Sequence, residues 1–328
     1  MSIERRTFLT GAVAILTGSA ARAQAPTPAA GDPAAPFFPP KERFPLWPGK
    51  PPGAPMKPIV PNWTMNNAPP NRELWIRGVP FPEVNVYRPA RTDGSSILVF
   101  PGGGYEFLSI QNEGLDAVER FNAERTIVFM LTYRLPGEGW SDRSIAPLQD
   151  AQRAMRLIRA RAAEFRIDPD RLGVLGFSAG GHLAADLAVS HSMLLYNPID
   201  ASDRLSARPA FAGLIYPVIS LDRTISTGVS SPNLIGSNPS VQLLSARSPA
   251  QHVAADTPPS FIAAAADDPI ATAGNSLEWI QACRRSNASV EAHLFAEGGH
   301  GFGLHLPREN PGSRWPDLFA LWMRQHGG

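Results

Sequence analysis

The stretch Leu172-Gly-Val-Leu-Gly176-Phe177-Ser178-Ala179-Gly180-Gly181-His182-Leu-Ala-Ala constrains this chain more than any other. A short apolar run bounded by glycine, followed at once by an alanine-rich helical pattern, predicts a buried strand that turns sharply into a helix. Glycines flank Ser178 because strand and helix crowd together at such a turn, and larger side chains would collide with the crossing backbone. A serine held there points its hydroxyl outward, the posture of an activated nucleophile. The fold must therefore contain strands that feed helices, with ligands bound beyond the C-terminal strand ends.

From residue 72 onward the sequence meets that demand. Strands are expected at 74–76, 84–87, 97–100, 126–133, 172–176, 211–218, 261–265 and 290–295. Most are continuous apolar runs instead of alternating ones, which is what a parallel sheet covered on both faces produces. Between them Ala151, Met155, Ile158, Ala162 and Phe165 recur at spacings of four and three, with Arg153, Arg156 and Glu164 elsewhere on the wheel, as in an amphipathic crossover helix. The expectation is one α/β domain over residues 72–328, with a mostly parallel central sheet and helices on both faces.

A serine nucleophile needs a base. His182, four residues past Ser178, falls one turn along the new helix, away from the hydroxyl, and is read as a packed structural histidine. Glu297-Gly298-Gly299-His300-Gly301-Phe302-Gly303 follows the last expected strand, and its glycines let an imidazole reach across the sheet edge, so His300 is the expected base. Histidines 191, 252, 293, 305 and 326 have no such setting. The orienting acid should come between serine and histidine, where Phe261-Ile-Ala-Ala-Ala-Ala-Asp267-Asp268-Pro269 ends a buried strand in two carboxylates. Asp268 is assigned to the second imidazole nitrogen and Asp267 to capping the turn.

A tetrahedral oxyanion also needs preorganised donors. Ala179 N–H opens a helix, where orphan amides and the helix dipole favour negative charge. Gly103 and Gly104 lie in Leu98-Val-Phe100-Pro101-Gly102-Gly103-Gly104-Tyr105, a strand running into three glycines. A phosphate-binding loop is the competing reading, but neither the lysine and Ser/Thr of a P-loop nor the G-x-G-x-x-G spacing follows. Tyr105 and Trp140, the latter after the Tyr133-Arg134-Leu135 strand end, are candidates to line the acyl pocket.

Composition removes other classes. Among 328 residues, 30 Lys and Arg against 29 Asp and Glu leave a net charge of +1, too small a field to hold nucleic acid. The single cysteine, Cys283, cannot form an internal disulfide or a thiolate cluster, and no His-x-x-x-His pattern occurs, so no metal and no cofactor are expected. No run approaches the ~20 apolar residues of a membrane-spanning helix.

The first residues read as a targeting peptide, residues 1–23: Arg5-Arg6 precede Phe8-Leu9 and a weakly apolar run, and Ala21-Arg22-Ala23 offers a cleavage site. The paired arginines resemble a twin-arginine signal, an ordinary secretion signal being the alternative. Of the 34 prolines, 18 lie between Pro26 and Pro89, so residues 24–71 are expected to form an extended arm without sheet or helix. Phe37, Phe38, Phe44, Leu46, Trp47 and Trp63 carry enough apolar surface for its later part to wrap the domain.

Leu46-Trp-Pro-Gly-Lys-Pro-Pro-Gly-Ala, Phe100-Pro-Gly-Gly-Gly-Tyr105, Thr132-Tyr-Arg-Leu135, Gly176-Phe-Ser-Ala-Gly-Gly-His-Leu183, Asn233-Leu-Ile-Gly236, Asp256-Thr-Pro-Pro259 and Gly299-His-Gly-Phe302 stand in the order seen in α/β-hydrolase carbohydrate esterases. The chain resembles their acetylxylan-esterase-related group, close to the bifunctional acetylxylan and feruloyl esterases, over residues 45–305. The resemblance implies Ser178 as nucleophile, His300 as base, the aspartate before Pro269 as acid, and Gly103, Gly104 and Ala179 as oxyanion donors. Pro101 replaces the histidine that opens the glycine loop in lipase-like relatives, and Ile270-Ala271-Thr272 stands where relatives often continue with Val-Pro.

The expected function is a serine esterase that removes acetyl or other small acyl groups from plant-polysaccharide fragments. The alternatives are a peptidase or amidase on the same fold and an exported sugar-binding protein with an inactive triad. If the paired arginines are read by the twin-arginine machinery, replacing Arg5 and Arg6 with lysine blocks export and leaves active protein in the cytoplasm, because the guanidinium forks are lost while folding is not. Cell fractionation of the double variant reads this directly, and unchanged export would leave an ordinary secretion signal.

Overall fold

The structure, a computed structural model, describes residues 35–66 and 72–326. The expected signal peptide at 1–23 and the start of the arm lie outside these residues. The strands are β1 (Arg43–Pro45), β2 (Asn62–Asn66), β3 (Glu73–Arg77), β4 (Glu83–Tyr87), β5 (Ser96–Phe100), β6 (Leu108–Ser109), β7 (Ile127–Thr132), β8 (Leu172–Phe177), β9 (Ala212–Ile215), β10 (Ser260–Ala265) and β11 (Val290–Phe295). The helices are α1 (Asp116–Asn122), α2 (Ala146–Ala160), α3 (Ala162–Phe165), α4 (Ala179–Ser190), α5 (Ser230–Ile235), α6 (Val241–Ala246), α7 (Ala273–Ser286) and α8 (Trp315–His326).

Eight strands form the central sheet in the order β1-β4-β7-β5-β8-β9-β10-β11. The pairs β1–β4 and β4–β7 are antiparallel and the remainder parallel. Period-2 alternation divides the core between the two faces. On β5, Leu98 and Phe100 join one cluster with Met155 and Ile158 of α2, Leu183 and Leu187 of α4 and Trp279 of α7. Ile97 and Val99 join the other, with Phe121 of α1 and Trp315, Phe319 and Trp322 of α8. Every residue of β5, β7, β8 and β10 is buried, so the continuous apolar runs reflect helices on both faces. This is the expected architecture.

Two expectations change. The arm does enter sheet: Phe44 of β1 pairs with Val84 of β4 at the edge of the central sheet, and β2, β3 and β6 make a second sheet of three strands. Pro45 is tolerated because an edge strand presents one row of donors to solvent in any case. The expected strand at 211–218 is shorter, ending at Ile215, because Tyr216 takes φ 35° and Pro217 has no N–H for the ladder.

The later arm is clamped to the body by a buried polar knot. Trp47 Nε1 donates to Asp150 Oδ1 at 2.8 Å on α2, and the Arg134 guanidinium, fully buried, reaches the same carboxylate at 2.9 Å. Arg134 also donates to the Pro52 carbonyl at 2.7 Å and the Ala146 carbonyl at 2.9 Å, so its charge is shared among several acceptors. Phe38, Leu46 and Trp47 are buried, whereas Phe37 is exposed. Removing one member of such a pair strands the other charge in the interior. Asp150→Ala should therefore lower stability by about 3–5 kcal/mol, read as a fall in the denaturant midpoint; an unchanged midpoint would show that the knot contributes nothing net.

Candidate active site

The turn between β8 and α4 places Ser178 at φ 51° and ψ −115°. A non-glycine residue there costs on the order of 1–3 kcal/mol and persists only when its surroundings hold it. They do. A Cβ on Gly176 would meet the Gly180 carbonyl at 2.1 Å, and one on Gly180 would meet the Phe100 carbonyl at 2.0 Å, so the glycines of the turn are what lets β8, α4 and the end of β5 touch.

His300 arrives from the loop after β11, its Nε2 2.8 Å from Ser178 Oγ. Its Nδ1 lies 2.7 Å from Asp268 Oδ2, and the Asp268 side chain has no exposure. Asp268 Oδ1 accepts the backbone N–H groups of Ile270 and Ala271 at 2.8 and 2.9 Å, which pins the carboxylate's plane. Asp267 turns the other way and accepts from Gly298 N–H and Gly299 N–H at 2.9 and 2.8 Å. The neighbouring carboxylates thus divide the work: one faces the imidazole, the other holds the loop that carries it. Serine, imidazole and carboxylate together can move a proton off the hydroxyl and stabilise the imidazolium that results.

The glycine loop lies beside this trio. Gly103, Gly104 and Tyr105 take φ 117°, 64° and 59° in succession, a left-handed turn that glycine adopts without strain. Gly103 O accepts from Glu106 and Phe107, and Gly104 O from Asn233 Nδ2 at 2.8 Å, so the carbonyls are tied back. Ala179 opens α4 directly after the serine. The three expected donors are therefore brought to the strand end that carries Ser178.

His182 is the structural residue its position suggested. Its Nδ1 lies 2.8 Å from the Tyr105 hydroxyl and its Nε2 2.8 Å from the Arg247 carbonyl, which makes Nε2 the donor and Nδ1 the acceptor. Burial holds its pKa below the usual histidine value. Tyr105 and Trp140 are corrected. Tyr105 is buried against His182, supporting the glycine loop from beneath, and Trp140 is buried with the Arg134 guanidinium 4.9 Å from its ring centroid. Both rings are buried: Tyr105 gives side-chain mass to a loop built of glycines, and Trp140 packs on the Arg134 guanidinium.

Three residues of this region went unread in the sequence. Glu113, in the π-helical turn Gln111–Leu115, accepts Gly102 N–H at 2.9 Å. Tyr216 donates to Glu113 Oε1 at 2.8 Å. Val229 covers Gly104, where a Cβ would meet its Cγ2 at 2.6 Å. Glu113 stands among Gln111, Asn112 and Asp116, so nothing local marks it, and nothing local marks Val229, whose contact spans 125 positions of chain.

Residues 84–282 match the BD-FAE family model. The acetylxylan esterase of Xylanibacter ruminicola is 34% identical over 254 residues, covering 73% of this chain and 44% of that protein. Endo-1,4-beta-xylanase B of Butyrivibrio fibrisolvens is 33% identical over 205 residues, covering 62% of this chain and 32% of that protein. The chain thus spans less than half the length of these curated relatives. Among solved structures, the acetyl ester-xyloside bifunctional hydrolase of Caldicellulosiruptor lactoaceticus superposes with a TM-score of 0.72 at 32% identity, over 87% of this chain and 96% of that one. By sheet order, site and likeness together, this chain is an α/β-hydrolase and belongs to the BD-FAE family.

Proposed function

We propose that this protein is a serine carboxylesterase that removes acetyl, or another small acyl group, from plant-polysaccharide fragments. The observation that carries the reading is the unbroken pair of hydrogen bonds, 2.8 Å from Ser178 Oγ to His300 Nε2 and 2.7 Å from His300 Nδ1 to Asp268, ending on a serine held at positive φ. His300 takes the Ser178 proton as Oγ attacks the ester carbonyl, and Asp268 stabilises the imidazolium. The carbonyl oxygen, now negative, is met by the N–H groups of Gly103, Gly104 and Ala179. The imidazolium then protonates the leaving sugar oxygen, and water, deprotonated by the same imidazole, releases the acid from the acyl-enzyme. All these roles are filled by groups of the chain itself.

The choice of a small acyl group is supported by the same relatives that suggest the alcohol, whose names both carry acetyl esters. The choice of alcohol is supported by the names of the relatives, an acetylxylan esterase and an acetyl ester-xyloside hydrolase. No helix among the described residues is long and apolar enough to cross a membrane. Export by the twin-arginine route, to the periplasm or beyond, belongs to the same proposal and rests on Arg5 and Arg6.

Ser178→Ala should abolish turnover of aryl acetates without loss of fold, since only binding and oxyanion contributions remain. kcat/KM across aryl esters of two to twelve carbons should be greatest at acetate; a maximum at eight or more would make the protein a lipid esterase. Asp268→Asn should lower kcat by about four orders of magnitude through the wrong imidazole tautomer. Asp267→Asn should act mildly, because one amide oxygen still accepts from Gly298 and Gly299. The reverse ranking would transfer the acid's role to Asp267.

A further inference from the structure

Glu113 is a buried carboxyl that the mechanism above does not use. It is 4% exposed, and each of its oxygens is engaged: Oε2 accepts Gly102 N–H at 2.9 Å and Oε1 accepts the Tyr216 hydroxyl at 2.8 Å. The Tyr216 oxygen in turn accepts Gly303 N–H at 3.1 Å, and its ring stands edge-on to His300 with centroids 5.2 Å apart. A Cβ on Gly102 would lie 2.5 Å from Glu113 Oε2 and 3.0 Å from Ser178 Cβ, so Gly102 sits between the carboxylate and the serine. A single acid therefore links the glycine loop after β5 to the loop after β11 that delivers the imidazole.

A carboxylate is a costly way to make that link. Burial pushes the Glu113 pKa up to about 7, against the opposing effects of the Tyr216 hydrogen bond and of His300. The titratable groups that face it are Tyr216 after β9, His300 after β11, Tyr133 after β7 and Glu73 on β3. Of these, His300 alone can become positive. A neutral amide would serve for packing without the desolvation cost, whereas a negative charge here interacts with the imidazolium formed when His300 takes the serine proton.

We infer that Glu113 is a positioning residue of the esterase reaction, tying Gly102, and with it the Gly103–Gly104 donors, through Tyr216 to the His300–Gly303 loop. The inference rests on the esterase reading. Glu113 touches no substrate and acts through the two loops, so its removal should impair turnover more than binding.

The test compares wild type, Glu113→Gln, Tyr216→Phe and Ser178→Ala on an aryl acetate, with kcat and KM measured from pH 5 to 9 and the thermal midpoint recorded for each. Glu113→Gln should lower kcat by about tenfold or more with KM within about twofold, as loss of an interaction expressed in the transition state does. Tyr216→Phe breaks the link but keeps the Gly102 bond, and should give a smaller fall in kcat, again with KM held. A folded Glu113→Gln with wild-type kcat overturns the inference. Should that variant fail to fold, Tyr216→Phe with wild-type kcat overturns it equally. Failure of the esterase reading looks different: wild type itself would not turn over the acetate, or Ser178→Ala would.

Discussion

The active region depends on backbone touching backbone where the β8–α4 turn presses against the end of β5. Gly176, Gly180 and Gly102 each stand where a Cβ would come within 2.6 Å of a carbonyl oxygen, from Gly180, Phe100 and Phe177 respectively. That approach lets Ser178 keep a positive φ, because the strain is confined by neighbours that leave no easier arrangement. It also brings Ala179 and the glycine loop to the same spot. A methyl group at any of these positions would push the β8–α4 turn, and Ser178 with it, away from the end of β5 and the glycine loop.

Around that contact the protein holds three loops by their backbones instead of by bulky side chains. Asp267 gathers Gly298 and Gly299, Asp268 gathers Ile270 and Ala271 while facing His300, and Glu113 gathers Gly102. Charge-assisted bonds to N–H groups are short and directional, so they fix loops that glycine alone would leave free. Beneath the glycine loop, Tyr105 and His182 supply the missing mass and reach as far as the Arg247 carbonyl. Arg247 is itself paired with the buried Asp186 on α4 at 3.0 Å, so α4 and the segment after α6 are tied together.

The arm shows the same economy at larger scale. Its prolines leave few donors, and the structure uses it where few are needed: one strand at a sheet edge, one strand of a small second sheet, and an indole bonded to Asp150. The Arg134–Asp150 pair beneath it comes from the end of β7 and from α2, so the arm closes over a knot built by the body of the domain.

Alternation of apolar runs with helical patterns determined the α/β class by itself, since side-chain periodicity is local and survives without knowledge of partners. Ser178 and His300 were legible for a related reason: glycines at fixed offsets report a backbone conformation directly. Asp267 and Asp268, adjacent at the tip of β10, were harder to tell apart, because neighbouring side chains point to opposite sides and only the place of the His300 loop decides which side is the imidazole's. Tyr105 and Trp140 illustrate the opposite limit. Their sequence neighbours placed them near the site, but whether an aromatic ring faces a pocket or a core depends on His182 and Arg134, which come from other segments. Glu113 and Tyr216, 103 positions apart, had no common sequence signal. Local conformation is written in local residues, whereas burial, and the partner each buried polar atom meets, exist only once distant segments have closed on one another.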